Sequence, residues 1–254
     1  MLPLSVVIIT KNEERNLPRC LESVAWADEV LVVDSGSTDA TVDVARRHGA
    51  RVLTETWRGF GPQKAFAALQ AKHDWILSLD ADECVPVELH QELERRFASL
   101  TPGAAYALPR KSLLWGRWIR HGGWFPDRQI RLFNRRFANW DQAPVHEKVQ
   151  AKVYDRFEAP LEHYVFRDVA HQIDTNNRYS GLLAEKDVAA GKRFRLWKLI
   201  FKPYFKFLEN YFWKRGFLDG LPGFVIAVNS AHSTLLRWVK IWEIERRHPG
   251  GQVK

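Results

Sequence analysis

The chain has 254 residues, 46% of them hydrophobic and 27% charged, with a formal net charge of +8 at pH 7. That size buries a full core and fits one domain with a C-terminal extension; no low-complexity linker or internal repeat interrupts it. Two cysteines, Cys20 and Cys84, exclude a disulfide framework and a cysteine-based zinc site, and suit a reducing compartment.

Met1 is followed by Leu-Pro-Leu and then a strand pattern, so no charged-then-apolar signal peptide is expected and the protein should stay inside the cell. Leu4-Ser-Val-Val-Ile-Ile-Thr10 is a β-branched run read as a strand, with the polar Thr10-Lys-Asn-Glu-Glu14 after it. Asn16 suits the N-cap of a helix with Pro18 in its first turn and Leu17, Cys20, Leu21 and Val24 on one face. Val30-Leu-Val-Val33 is the next strand and runs into Asp34-Ser-Gly-Ser-Thr-Asp39. A helix from about Thr41 to a stop at Gly49, a short strand at 51–54 and an Ala-rich helix from Pro62 to Ala71 follow. The Trp75-Ile-Leu-Ser-Leu run is a further strand, ending in Asp80-Ala-Asp82-Glu83. Strands alternating with helices predict an α/β fold with a parallel sheet and right-handed crossovers. Ligands of such sheets bind at the carboxyl ends of the strands, where residues 10–14, 34–39 and 80–83 all fall.

Carboxylates two residues apart at the end of a buried strand repel each other. A divalent cation relieves that repulsion and carries substrate phosphates; the plainer reading is an acidic turn before a helix near Pro86. No Gly-x-Gly-x-x-Gly follows the first strand and no P-loop is present. Phosphate neutralisation must then come from a metal and from side chains.

Ile8-Ile-Thr-Lys-Asn-Glu13, Val32-Val-Asp-Ser-Gly-Ser-Thr-Asp39 and Leu79-Asp-Ala-Asp-Glu83 resemble the family-2 glycosyltransferases of GT-A fold. Gly-Trp-Phe-Pro-Asp127 and Val145-His-Glu147 extend the likeness to bacterial lipopolysaccharide inner-core β-1,4-glucosyltransferases. The resemblance implies a Rossmann-like GT-A domain with a C-terminal helical extension. It also implies an inverting, metal-dependent transfer of a hexose, glucose in those relatives, from a UDP-sugar to a lipopolysaccharide core sugar. Thr10, Asn12 and Glu13 would line the base and ribose pocket, and Asp34 would accept a hydrogen bond from the uracil. Gln63 and Lys64 would face the donor, unless Lys64 is a solvated helix residue. Asp80 would hold the ribose and metal region, and Asp82 would ligate Mn2+ or Mg2+ directly, with Glu83 as a helix cap. Another donor, a lipid-phosphate acceptor, or a non-catalytic membrane or nucleic-acid binder are the alternatives.

Residues 104–109 read as another strand, and a Trp-, Arg- and Gly-rich stretch leads to Gly122-Gly-Trp-Phe-Pro-Asp127. Trp124 in that glycine-lined loop either stacks on a sugar or fills a second core. Arg128 and Arg131 follow and are expected to share one face of a strand, opposite a diphosphate or on an exposed edge. Direct displacement needs one group to take the acceptor proton, and Glu147 and Asp127 are the two candidates. His146 either completes the metal sphere with Asp82, which would favour manganese, or is structural.

Residues 192–215 carry eight Lys or Arg against one acid, Glu209, with nine aromatics interleaved. Lys198, Lys202 and Lys206 repeat at i+4 beside Trp197, Phe201 and Phe205, as suits an anionic membrane surface, and Pro203 should kink or interrupt the helix. Residues 220–236 lack Asp, Glu, Lys and Arg but carry enough polar groups to read as a packed or interfacial helix rather than a span. The expected organisation is a nucleotide-sugar half (1–110), an acceptor half (111–190) and a membrane-associating tail (191–254). The expected location is peripheral, on the cytoplasmic face of the inner membrane. No nucleic-acid motif accompanies the positive charge, so nucleic acid is not an expected partner.

Overall fold

The computed structural model describes residues 2–141 and 148–247. They form two compact units, one of Met1–Lys111 with Pro126–Tyr164 and one of Ser112–Phe125 with Val165–Lys254.

The first unit begins with the expected alternation: β1 (Leu4–Thr10), α1 (Leu17–Ser23), β2 (Glu29–Asp34), α2 (Thr41–Arg47), β3 (Arg51–Thr54), α3 (Phe60–Gln70) and β4 (Trp75–Asp80). Asn16 stands at the N-cap of α1, but its Nδ2 donates to Glu13 Oε2 at 2.9 Å instead of capping the helix. After β5 (Glu83–Cys84), α4 (Val87–Arg96) and β6 (Ala104–Leu114) come, in chain order, β7 (Arg117–Trp118), β8 (Asp127–Asn134), β9 (Asn139–Trp140), β10 (Val149–Gln150), β11 (Val153–Arg156) and β12 (Leu161–His163). Among the described residues the main sheet runs β3-β2-β1-β4-β8-β6-β12-β5. Its first four strands are parallel, while β8 runs antiparallel to both β4 and β6. The fold is therefore an α/β GT-A arrangement with a mixed, mostly parallel sheet.

Period-two alternation sends side chains to both faces, and each face is covered. Leu4, Val6 and Ile8 pack with Leu17, Cys20 and Leu21 of α1, Val44 of α2, and Leu89 and Leu93 of α4. Val7, Leu31, Val33 and Ile76 meet Ala65, Ala67 and Ala68, whose small side chains bring α3 close to the sheet. Burying each such Leu or Ile contributes about 1.5–3 kcal/mol, so the scaffold beneath the strand ends is well anchored. Register aligns those ends, Thr10 beside Asp34 and Ile9 beside Asp80. The chain reverses its winding at β1, between β2 and β4, the crevice where α/β sheets bind ligands.

In the second unit β7 pairs with the end of β6, Leu113 opposite Trp118. Helices α5 (Val169–Ala189), α6 (Leu196–Leu208) and α7 (Gly220–Arg247) follow, with a π turn (Glu209–Trp213) and a 3-10 turn (Gly216–Asp219) before α7. Asp168 caps α5 by accepting from the His171 amide at 2.7 Å. Trp124 takes the core alternative, packing on Leu114, Ile119 and Ile226 with Phe166 beside it. Of the two outcomes expected at Pro203 the interruption is absent, and α6 runs on through it. A missing amide removes one ladder bond, and the turns on either side carry the helix through. No described helix is long and apolar enough to cross a membrane.

Candidate active site

Two loops at the carboxyl edge of the parallel strands are laced together. Asp34, 1% exposed at the end of β2, accepts from Thr10 Oγ1 at 3.0 Å, from the amides of Gly36 at 3.0 Å and Ser37 at 2.8 Å, and from Ser37 Oγ. Both its oxygens are thus committed to the turn, which Gly36 closes at φ +80. Asn12 adopts φ +57, a conformation asparagine tolerates better than most residues, and its Oδ1 accepts from the Thr38 amide at 2.8 Å. The Glu13 amide donates to Thr41 Oγ1, also at 2.8 Å. The loop of Thr10, Asn12 and Glu13 and the turn of Asp34, distant in sequence, are one structural unit.

Asp80 sits at the end of β4 between two cations. Lys64 Nζ lies 2.9 Å from its Oδ1, and the Arg131 guanidinium bonds its Oδ2. Burial alone would push the Asp80 carboxyl up, but Arg131, Lys64 and the more distant Arg110 outweigh that and hold it well below the usual carboxylate range. Lys64 is 3% exposed and lies 4.9 Å from the Trp140 ring, so it is no solvated helix residue. Its neighbour Gln63, also buried, donates to Ser35 Oγ at 3.1 Å while its Oε1 has no partner among the described residues.

Glu83 does not cap α4, whose N-cap position is Pro86. It is fully buried and accepts from Arg131 at 2.6 Å, Arg110 at 3.2 Å and the Asp80 amide at 3.1 Å. A buried carboxylate needs such partners, and two arginines from neighbouring strands supply them. Arg110 in turn grips Asp127 through Nε at 2.9 Å, and Gln129 donates to the other Asp127 oxygen at 2.7 Å.

The second carboxylate of the pair has different company. Asp82 Oδ2 lies 3.3 Å from Nε2 of the buried His163, which β12 carries alongside β5. A carboxylate and an imidazole at that spacing suit a divalent cation, manganese better than magnesium. Among the described residues no group of three such side chains gathers. Glu13 faces the same region. Burial raises its carboxyl above the ordinary value, partly offset by Asn16, and the charges of Asp82, Asp39 and Asp80 push it further up.

Arg128 and Arg131 meet different surroundings on β8, whose pairing with β6 shifts register between Ile130 and Leu132. Arg131 is buried against Asp80 and Glu83, while Arg128 is exposed and donates to the Phe157 carbonyl at 3.1 Å, with Glu158 beside it. His146 and Glu147 lie outside the described residues. Sequence reasoning missed Arg110 and His163, and misread Glu83. Only the third acid of Asp80-Ala-Asp82-Glu83 offered a signal, since His163 reaches the site through a strand pairing with no motif of its own.

A family model described as Glycosyl transferase family 2 matches residues 5–159. The chain is 34% identical over 258 residues to an uncharacterized glycosyltransferase of Rickettsia typhi (strain ATCC VR-144 / Wilmington), covering 96% of this chain and 88% of that one. It is also 34% identical over 255 residues to the lipopolysaccharide core biosynthesis glycosyltransferase LpsC of Rhizobium meliloti (strain 1021), covering 95% and 93%. The crystal structure of S. aureus TarS 1-349 in complex with UDP-GlcNAc superposes with a TM-score of 0.49 at 14% identity, covering 97% and 92%, a likeness too loose to weigh on function. With the family model over more than half its length and these relatives along nearly all of it, the chain is a glycosyltransferase and belongs to glycosyl transferase family 2.

Proposed function

We propose that this protein moves a hexose, glucose by its resemblance, from a UDP-sugar to a saccharide of the lipopolysaccharide core in one inverting displacement. The observation that carries the reading is the split environment of the Asp80-Ala-Asp82 pair. Asp80 is neutralised by Lys64 and Arg131, while Asp82 pairs with His163 and its side chain is 28% exposed. One carboxylate is fixed in place and the other is left to meet a cation. The 34% identity to LpsC supports the core saccharide as acceptor.

Asp82 and His163 would hold Mn2+ or Mg2+, with Asp80 and, as the sequence suggests, His146 close by. A bound cation would offset the charge of the diphosphate and stabilise it as leaving group. The chain's own residues do the rest. The turn built on Asp34 positions Thr10, Asn12 and Glu13 beside the nucleoside, and Lys64 and Arg131 hold Asp80 ionised and oriented. Asp127 already accepts from Arg110 and Gln129 on both oxygens, so we assign the proton acceptor to Glu147. Arg128, tied to Phe157 and Glu158, takes no part in diphosphate binding in this scheme. A lipid-linked acceptor would place the enzyme peripherally on the cytoplasmic face of the inner membrane.

Calorimetric titration of UDP with and without manganese, on the native chain and on Asp82→Asn, tests the reading. Metal-dependent binding that the substitution removes is the expected result. Equal binding by both proteins would take the metal away from Asp82, and no binding by either would sink the UDP-sugar donor.

A further inference from the structure

The second unit leaves an aromatic helix face uncovered. Leu196, Trp197, Ile200, Phe201, Tyr204 and Phe205 are all exposed. Their i, i+1, i+4, i+5 spacing puts them on one side of α6. The face continues into the π turn, where Trp213 is 87% exposed. Apolar patches of this extent mark an interaction site.

The lysines decide what covers it. Lys198, Lys202 and Lys206 form a row along the edge of the aromatic face. Lys198 lies 5.0 Å from the Trp238 ring, Lys206 is 3.1 Å from Glu209, and Lys202 is exposed. A row of lysines bordering an aromatic face complements an anionic surface, which favours a lipid headgroup layer as its occupant. Aromatic rings at the headgroup level with lysines beside lipid phosphates are the composition of a helix lying in a membrane interface. At 13 residues α6 spans only about 20 Å, too short to cross a bilayer core of about 30 Å.

We infer that α6 and the π turn after it form an in-plane anchor that inserts Trp197, Phe201, Tyr204, Phe205 and Trp213 into the headgroup boundary of an anionic membrane, with Lys202 on the lipid phosphates. The anchor deepens the proposal of a lipid-linked acceptor, taking its purpose but none of its evidence from that reading. Flotation of the full chain with vesicles tests it, comparing phosphatidylcholine alone with phosphatidylcholine plus phosphatidylglycerol. The native chain should float with the anionic vesicles. The double variant Phe201→Ser, Phe205→Ser should bind them at least tenfold less, and Lys202→Gln about fivefold less. A native chain that stays in solution, or a double variant that floats as well as the native chain, overturns the anchor. So does a native dimer that the double variant splits into monomers without any vesicle binding, since the face would then belong to a second copy. UDP binding in solution, measured on the same variants, should be unchanged and separates loss of the anchor from misfolding. Flotation without UDP binding by the native chain would count against the donor site alone.

Discussion

Asp80, Glu83 and Arg131 form the most tightly interdependent group in the catalytic unit. Arg131→Met strips a cation from two carboxylates, one of them fully buried, and should lower stability by about 3–5 kcal/mol in a urea titration. The two displaced carboxyls have opposite consequences for pH. Asp80 is held below its ordinary range, so it stabilises the fold at neutral pH and loses that contribution as pH falls through about 4 and below. The urea midpoint of the native chain should therefore fall more steeply on acidification than that of Asp80→Asn. Glu13 is raised, so its charged form costs stability at neutral pH. Glu13→Gln should raise the thermal midpoint at pH 7, and the gain should fade as pH falls from the raised Glu13 value towards the ordinary glutamate value.

Elements of the two units depend on close backbone approach as much as on apolar side chains. A Cβ on Gly223 would lie 1.9 Å from the Gly216 carbonyl oxygen, so the start of α7 packs directly on the turn before it. Gly223→Ala must push these segments apart and should destabilise the chain by about 1–3 kcal/mol or more, read from thermal denaturation. In the catalytic unit, Ala68 fits α3 to the sheet with no exposed surface, and Ala68→Leu should cost a similar amount for the same reason. Most of these elements were legible beforehand. β3 begins at Arg51 and ends at Thr54 as read from its pattern, and α2 starts at Thr41. Whether Pro203 would interrupt α6 was not, because sequence shows the lost amide of a proline but not the neighbouring turns that compensate for it.

For the molecule as a whole, ligand binding and folding are linked. UDP with manganese at about one hundred times its dissociation constant should stabilise the protein by about 2.7 kcal/mol, visible as a rise in melting temperature. Asp82→Asn should abolish that rise while leaving the unliganded melting temperature nearly unchanged, since Asp82 is partly exposed and its near partner is a single histidine.

The sequence by itself determined the α/β scaffold and the convergence of Thr10, Asp34 and Asp80 on one rim, because period-two apolar runs and turn residues are local signals. It also singled out the basic aromatic stretch at 192–215, since composition needs no fold to be seen. Tertiary structure alone decided the company of each charge. Arg110, Arg131 and Glu83 meet only when β6, β8 and β5 lie in one sheet, and His163 reaches Asp82 only through the pairing of β12 with β5. The burial of Arg131, and the packing of Trp124 on Leu114, Ile119 and Ile226, likewise depend on which part of a strand or loop a core happens to cover. Such contacts join residues tens of positions apart, and no local pattern encodes which distant partner a charge will find.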